Sequence, residues 1–413
     1  MPIEKTRAPY GSWPSPVSAT LLTRGQKGLG APQADGETLY WLESRPSEGG
    51  RSVVVRARTG DEPEACVPPG ANVRTRVHEY GGVSYTVQNG LLVYVEYSDQ
   101  QLHATRDGQT VDQLTHEPAT RFAAPQITSD GAAIVAVAEE HQDGKEPVNR
   151  LVQVDMNDGG VSVLAEGADF YGVPALRADG LVAWVEWDHP NMPWDTTRLM
   201  IGRIAGAGAS GAGGQAAGSP AGSLLEDVRQ VPAAPDSSSV YPSWAPDGTL
   251  LFLNDAHDYW QPHRFDLSND QLTRVSDLQA DFCFPPWLLG GAPYCVVDGW
   301  LLSPVMIRGE SHASRTELET GTTRVEFPIL TTSGITPFAG GIVYVGGDRT
   351  QAPALIYRPQ ADAPTVVQKT STLALDPENV STAQPIEFPT TNGESAYGLF
   401  YPPVNAEYEG GED

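Results

Sequence analysis

The chain has 413 residues, and its 52 acidic side chains against 26 lysines and arginines give a formal net charge of −26. Such a surface repels phosphate backbones and anionic lipids, so we predict neither a nucleic-acid partner nor a membrane partner. The three cysteines are an odd number without metal-site spacing, so we expect no disulfide framework. The sequence shows neither an apolar signal segment nor an apolar run of roughly 18 residues, so we expect a soluble, cytoplasmic protein.

One type of turn recurs along the chain. Asp-Gly or Asn-Gly pairs precede short apolar strands, as tight hairpins require, because Asp and Asn bond their own backbone and Gly accepts positive φ. The turn glycines, of which the last belongs to a weaker Gly-Gly copy, are Gly36, Gly90, Gly131, Gly180, Gly248, Gly299 and Gly340. Their spacing is 41 to 54 residues, except for one gap of 68. A period of about 40 to 50 residues with several strands per repeat predicts a β-propeller of seven four-stranded blades.

The long gap contains "AGAGASGAGGQAAGSPAGS", residues 205–223. Subtracting these 19 residues leaves 49, in line with the other gaps. Ala, Gly and Ser bury too little apolar surface to offset the entropy of ordering such a segment, so we predict an exposed surface loop within one repeat.

Two stretches are not required by blades. They are "RTRVHEYGG" (residues 74–82) and "EWDHPNMPWD" (residues 186–195), which is rich in Trp, Pro and acidic side chains. One interpretation is an aromatic plug between blades, and the other is a recognition surface on one rim of the ring. The candidate residues for substrate binding or a domain interface are His78, Glu79, Tyr80, Trp187, Asp188, His189, Trp194 and Asp195. For Glu79 the structural alternative is a turn cap or a pair with Arg74 or Arg76.

Catalytic motifs are missing from the sequence. It has no G-x-S-x-G nucleophile elbow, since "GASGA" at 208–212 lacks the last Gly, and no His precedes a Gly-Gly pair. H-E-x-x-H is absent, and His257, Asp258 and His263 lack a further clear ligand, which favours surface or packed histidines. We therefore predict no catalytic residue, no metal and no cofactor in these residues.

The segments "VRTRVHEYGG", "DFYGVPALRADG", "AWVEWDHPNMPWD", "PSWAPDGTLLFLND" and "LALDPENVSTAQPIEFPT" resemble the N-terminal propeller of the prolyl oligopeptidase family. The similarity runs from about Tyr10 to Asn405 and is strongest to bacterial dipeptidyl aminopeptidases and acylaminoacyl peptidases. In that family a hairpin follows the ring and opens an α/β-hydrolase domain that carries Ser, Asp and His. Residues 385–403, with a turn at Asn392-Gly393, match this hairpin, whereas the "HGGP" and "GGSAGG" motifs that follow in the family do not occur here.

The resemblance implies an all-β chain with an N-terminal extension (1–20), a propeller (21–375) and the truncated start of a hydrolase domain (376–413). It implies the non-catalytic, access-gating part of a serine exopeptidase that acts on the N termini of short peptides. The hydrolase domain and the peptides would be its partners, and homo-oligomers are compatible with the sequence. The alternatives are a stand-alone interaction propeller, which has no use for the hairpin, and a propeller lyase or dehydrogenase, which would need a ligand cluster.

Overall fold

The computed structural model of the chain describes residues 4–23, 25–206, 224–291, 293–349, 351–360 and 362–411. The predicted seven-bladed propeller is confirmed: seven antiparallel sheets follow one another along the chain, and each is built from consecutive strands. The predicted loop at 205–223 lies outside the described residues from position 207 onward. The blades occupy residues 28–369, and the domain limits at 20 and 375 stay predictions.

The elements before the ring are β1 (Thr6–Arg7) and α1 (Ala19–Thr23). Blades 1 and 2 contain β2 (Gly28–Asp35), β3 (Thr38–Arg45), β4 (Arg51–Arg58) and β5 (Glu64–Ala65), then β6 (Tyr85–Gln88), β7 (Leu91–Val95), β8 (Leu102–Thr105) and β9 (Asp112–Gln113). Blade 3 contains β10 (Thr120–Ile127), β11 (Ala133–Glu140), β12 (Val148–Asp155) and β13 (Val161–Ala165). Blade 4 has a divided inner strand and contains β14 (Phe170–Tyr171), β15 (Ala175–Leu176), β16 (Leu181–Trp187), β17 (Arg198–Ile204) and β18 (Leu225–Gln230).

Blade 5 contains β19 (Ser239–Trp244), β20 (Leu250–Asn254), β21 (Gln261–Asp266) and β22 (Gln271–Arg274). Blades 6 and 7 contain β23 (Cys295–Val297), β24 (Trp300–Ile307), β25 (Glu310–Glu317) and β26 (Thr323–Pro328), then β27 (Leu330–Phe338), β28 (Gly341–Gly347), β29 (Ala354–Pro359) and β30 (Thr365–Lys369). After the ring come the hairpin of β31 (Gln384–Pro389) and β32 (Ser395–Phe400), and then β33 (Tyr408–Glu409), which pairs in parallel with β1. Short 3₁₀ turns cover Pro46–Glu48, Pro377–Asn379 and Thr391–Gly393.

All seven predicted turns join the first and second strands of a blade. The seven turn glycines have φ between +59° and +87°, a region that residues with a Cβ rarely adopt. In blades 2, 6 and 7 the preceding residue, Asn89, Asp298 or Ala339, also has positive φ. Two consecutive positive φ angles are typical of the type I′ turn, whose twist matches that of the flanking strands. The local sequence therefore determines where each blade begins.

The alternating strand direction sorts the connections onto two faces of the ring. The turn face carries the seven glycine turns. The opposite face, here the loop face, carries the connections between blades and those between second and third strands, including residues 66–84, 188–197 and 275–294. The chain also enters β2 and leaves β30 on the loop face. The hairpin β31–β32 therefore emerges on the same side of the ring as both unusual sequence stretches.

The core lies between neighbouring blades. One buried cluster joins Trp41 and Val54 of blade 1 with Tyr85 of blade 2 and with Val343 and Leu355 of blade 7. Within the residues that the structure describes, the first and last blades share no strand, so this packing closes the ring together with polar contacts. In one of these, Gln368 of blade 7 donates to the Glu43 carboxylate of blade 1 at 2.7 Å.

Bulges in the inner strands provide a second link between blades. Ala31 in blade 1 and Tyr241 in blade 5 have φ of +47° and +56°, and the strand pairing shifts register at both. A bulge turns the residue's carbonyl out of the sheet ladder. The buried Tyr85 hydroxyl donates to the Ala31 carbonyl at 2.5 Å, and the buried Tyr294 hydroxyl donates to the Tyr241 carbonyl at 2.6 Å. Each tyrosine thus ties its own blade to the preceding one.

The three cysteines, Cys66, Cys283 and Cys295, are free and buried. Burial raises the pKa of the Cys66 and Cys295 thiols to about 12, so neither forms a reactive thiolate at neutral pH. None of the helices in the described part of the chain is long and apolar enough to cross a membrane.

We expect Tyr294→Phe to lower the free energy of unfolding by about 1–3 kcal/mol, because the bulge carbonyl of Tyr241 loses its donor. The matched control is Tyr357→Phe, whose hydroxyl donates to the Ala339 carbonyl at 2.9 Å from an exposed position where water replaces it. The control should change stability by less than about 0.5 kcal/mol. Urea unfolding followed by tryptophan fluorescence measures both, and equal effects would contradict a tie between blades.

Candidate functional site

Three connections on the loop face surround one pocket of about 260 Å³. They are the HEYGG turn (residues 78–82), the loop at 188–195 and a segment before blade 6, "PPWLLGG" (residues 285–291), here called the strap. The side chains that line the pocket include His78, Tyr80, Phe170, Trp187, His189, Met192, Trp194, Tyr241, Trp287 and Leu288. The two stretches singled out in the sequence therefore form one site, although about a hundred residues separate them.

The HEYGG turn is held by a buried carboxylate. His78 and Glu79 have φ of +53° and +63°, a conformation that non-glycine residues rarely adopt. The Glu139 carboxylate accepts the His78 backbone N–H at 2.7 Å and lies 2.6 Å from His141 Nε2. Arg121 Nη1 lies 3.3 Å from the same carboxylate, which is almost fully buried. Glu139 on β11 thus fixes a strained turn that projects its neighbours onto the rim.

The two glycines of the turn permit close backbone contact with the strap. A Cβ on Gly82 would lie 2.2 Å from the Leu289 carbonyl oxygen, and one on Gly81 would lie 2.4 Å from the Thr75 carbonyl oxygen. Leu289 N–H donates to the Gly81 carbonyl at 3.1 Å, and Val83 N–H donates to the Leu289 carbonyl at 2.7 Å. Only glycine fits at both positions.

The strap connects parts of the ring that are not neighbours. It belongs to the connection between blades 5 and 6, yet it pairs with the connection that precedes blade 2. It therefore runs across the loop-face mouth of the central channel, a space of about 1360 Å³ that inner strands of all seven blades line. Trp287, Leu288 and Leu289 line the channel and the pocket together. The strap is therefore a wall that both spaces share.

The loop at 188–195 is organised by aspartates. The Asp188 carboxylate accepts the Asp169 N–H at 3.0 Å and pairs with Arg198 at 2.7 Å. The hydrogen bond from Arg198 lowers the pKa of Asp188. Asp169 in turn accepts the His189 N–H at 2.9 Å, ahead of the cis bond to Pro190, and Asp195 accepts the Met192 N–H at 2.8 Å. These carboxylates hold the loop, so Asp188 and Asp195 are engaged within the protein.

Two groups of rings line the pocket. Phe170 and Trp187 stack with centroids 5.3 Å apart, and the His78 ring meets them edge-on at 5.2 and 5.8 Å. Trp194 and Trp287 form the second group, with centroids 4.4 Å apart. Burial lowers the pKa of His78, so its imidazole is neutral at neutral pH. Trp187 is buried, whereas Tyr80 is 67% and Trp287 is 59% exposed. Buried rings thus underlie an exposed apolar mouth.

Glu79 is an exposed, ion-paired carboxylate beside the pocket. Its side chain is 77% exposed, and its ion-pair partner at 2.9 Å is Arg121 rather than the predicted Arg74 or Arg76. The hydrogen bond from Arg121 lowers the pKa of Glu79, which is therefore ionised at neutral pH. Arg74 and Arg76 instead lie over the Tyr97 ring, 5.5 and 5.3 Å from its centroid. Glu79 remains accessible to a cation arriving from solvent.

The histidine pair of blade 5 has no ligand geometry. The His257 and His263 rings stack 6.2 Å apart, and His263 Nδ1 lies 2.9 Å from the Gln261 carbonyl in a buried position. Within the described part of the chain, no group of three or more His, Cys, Asp or Glu side chains is arranged to hold a metal ion.

Sequence reasoning missed Glu139 and the strap. The strap carries a usable signal, since two prolines beside a tryptophan and two leucines cannot extend a blade sheet, as in residues 186–195. Glu139 has no such signal in the sequence. A glutamate at the end of an apolar strand could equally face solvent, and its role appears only when the fold brings His78 to it.

We expect Glu139→Ala to release the HEYGG turn. Losing a charged acceptor costs on the order of 2 kcal/mol locally, so the Glu79 and Gly81 amides should exchange roughly thirtyfold faster. Glu140→Ala is the control, because its side chain pairs with Arg150 on the other face of the same strand. Hydrogen exchange read by mass spectrometry tests this, and unchanged exchange in Glu139→Ala would contradict the anchoring role.

Gly82→Ala should break the pairing between the turn and the strap, because its Cβ would overlap the Leu289 carbonyl. Gly90→Ala is the control, because it has the cost of a positive φ without a steric clash: Gly90 has φ of +73° and open space around its Cβ position. The control should lose about 1–2 kcal/mol, and Gly82→Ala distinctly more, together with a change in Trp287 fluorescence. Thermal unfolding measures the loss of stability, and emission spectra report the change in fluorescence. Identical results for both variants would rule out the contact between Gly82 and Leu289.

No protein-family model matches the chain, and no curated protein matches it. Solved structures do. A puromycin-hydrolysing peptidase of Mycobacterium tuberculosis superposes with a TM-score of 0.87 at 25% identity, over 99% of this chain and 64% of that protein. A puromycin hydrolase superposes with a TM-score of 0.85 at 24% identity, over 99% of this chain and 63% of that protein. A structure from a study of two prolyl endopeptidases superposes with a TM-score of 0.60 at 9% identity, over 92% of this chain and 54% of that protein. This likeness shows the fold alone.

The ring is thus a propeller of the kind found in these peptidases, and the resemblance to the prolyl oligopeptidase family drawn from the sequence motifs is confirmed. The chain spans a little under two thirds of the length of the puromycin-hydrolysing enzymes that it matches.

Proposed function

We propose that the chain is the non-catalytic propeller portion of a serine exopeptidase that acts on the N termini of short peptides. Its ring gates access to the active site of an α/β-hydrolase domain. The observation that carries the proposal is the meeting of the aromatic pocket, the strap and the hairpin β31–β32 on one face of the ring. The peptidases it resembles along 99% of this chain are longer proteins, of which it spans 64% and 63%.

The hairpin supports a domain on the loop face. Ile386, Phe388 and Phe400 lie on one of its sides, where they are 44%, 45% and 48% exposed. The other side approaches the ring, because the Tyr397 Cβ lies 3.3 Å from where a Cβ on Gly309 would be. A two-stranded hairpin is marginal by itself in water. A hydrolase domain that continues its sheet would bury the exposed side.

The rim supports recognition of an N terminus. Glu79 is an ionised, exposed carboxylate between two residues whose rings line the pocket. A protonated peptide amine would pair with it in a charge-assisted hydrogen bond. The strap narrows the channel mouth, so peptides that approach along the channel meet a steric filter, which favours short substrates.

The chain alone should neither label with a fluorophosphonate nor hydrolyse aminoacyl, dipeptidyl or acylaminoacyl p-nitroanilides. Reading the same frame through roughly 250 further residues, a usual domain length, should produce both activities. The serine-to-alanine variant of the labelled residue is the control for turnover.

Fluorophosphonate labelling of the 413-residue chain itself would contradict the non-catalytic assignment. An extended product that folds and shows no hydrolase activity would favour the alternative, an interaction propeller.

A further inference from the structure

The outer edge of blade 3 lacks the protection that the other blades have. The last strand of a blade leaves backbone N–H and C=O groups unpaired, and charged side chains commonly keep such edges from pairing with another chain. Among the outer strands that the structure describes, six carry charged side chains, including Glu64, Asp112, Glu226, Arg274, Arg324 and Lys369. The seventh, β13, has the uncharged sequence VSVLA. Blade 3 therefore presents an edge that can accept a further strand.

The backbone of β13 is oriented for such pairing. Asp155 N–H donates to the Gly160 carbonyl at 3.0 Å, where β12 and β13 begin to pair. Bonded and non-bonded positions alternate along an antiparallel ladder, so Ser162 bonds to β12 and the backbone groups of Val161 and Val163 point away from it. The side chain of Val163 is 42% exposed. The free edge thus offers backbone donors and acceptors beside an exposed apolar side chain.

The distribution of charge indicates what kind of strand fits this edge. A basic peptide would gain more at β18, where Glu226 and Asp227 lie on the edge, than at β13. An acidic peptide is repelled by the net charge of −26. The edge of blade 3 therefore favours a strand without charges, and β13 of a second copy of this chain is such a strand.

Pairing of β13 with its own copy is self-complementary. In an antiparallel arrangement with the two-fold axis at Val163, the two Val163 residues exchange backbone N–H···O=C bonds, because the backbone groups of both point outward. Val161 then lies opposite Ala165 of the second copy. Cross-strand pairs of β-branched side chains, such as the two Val163 side chains here, stabilise a sheet.

The flanking residues select this register. Glu166 would lie opposite Gly160 of the second copy, and Glu166 is already paired with Arg150 at 3.2 Å. Like charges directly opposite each other destabilise strand pairing, and none meet between positions 160 and 166. An axis shifted by one residue, to Ser162, would instead place Glu166 opposite Asp158. The register centred on Val163 is therefore favoured.

We propose that the chain forms a two-fold symmetric dimer by antiparallel pairing of β13 with β13 of a second copy, which joins the two four-stranded sheets of blade 3 into one. Strands of a blade run between the loop face and the turn face, so the second copy directs its loop face to the opposite side. Both loop faces stay open to a hydrolase domain. The dimer does not rest on the proposed exopeptidase function.

The dimer should be weak. The paired strand has five residues, and the register shift at Leu164 bends it at one end. Such an interface is small, so we expect a dissociation constant on the order of 10–100 µM. Sedimentation velocity of the 413-residue chain measures it at roughly 0.15 M salt, where repulsion between two acidic copies is screened beyond about 8 Å. A chain that stays monomeric up to about 300 µM would overturn the proposal.

Val163→Lys tests the edge. Two like charges would meet at the two-fold axis, so the dissociation constant should rise about tenfold or more. The matched control is Val325→Lys, because Val325 is 41% exposed within β26, the outer strand of blade 6. The control should leave the dissociation constant unchanged within about twofold, and equal thermal midpoints show that both variants fold. Association that survives in Val163→Lys, for example through the exposed hairpin β31–β32, would contradict pairing at β13.

A charge exchange locates the two-fold axis. Val163→Glu alone should weaken the dimer as Val163→Lys does. An equimolar mixture of the two variants should recover it, because residue 163 faces its own copy only if the axis passes through it, and opposite charges then meet. A mixture that remains as monomeric as either variant alone would overturn the pairing at Val163.

Discussion

Two backbone hydrogen bonds organise the loop face of this propeller. They join Leu289 to Gly81 and Val83, at 3.1 and 2.7 Å, and so tie the connection before blade 6 to the connection before blade 2. Because these blades are not neighbours, the pairing carries the strap over the channel mouth and places Trp287 beside the rings of blade 4. The glycines at 81 and 82 are a condition for it, since a Cβ at either would overlap a carbonyl oxygen. Without this contact the channel would open directly onto the rim, and the pocket would lose a wall.

This pairing has a consequence for how the ring and its site depend on each other. Ring closure relies on side-chain packing around Trp41 and Val343 and on contacts such as Gln368 with Glu43, because blades 1 and 7 share no strand among the described residues. The strap adds a link across the ring rather than around it. The pocket is thereby assembled from three separate connections that contact one another.

The sequence predicted the parts of the structure that local chemistry specifies. Each Asp-Gly or Asn-Gly turn had to lie between two strands, and the period then gave the number of blades. The two Pro- and aromatic-rich stretches were recognisable because they cannot extend a sheet. Which residues meet them was not predictable: Arg121 rather than Arg74 or Arg76 pairs with Glu79, and Glu139 reaches His78 from 61 positions away. Those contacts depend on how blade 3 stands beside the turn before blade 2, which no local pattern encodes. The role of Asp188 and Asp195 as loop anchors also appears only once their backbone partners are in place.

The central proposal is that the loop face is one continuous surface for a hydrolase domain and its substrate. A crystal structure of the chain together with the proposed α/β-hydrolase domain tests this most directly. The account predicts that the added domain covers the loop face, buries Ile386 and Phe388 of the hairpin, and opens its active site toward Glu79 and the aromatic pocket. A domain docked on the turn face, or one that leaves the hairpin and pocket in solvent, would contradict it.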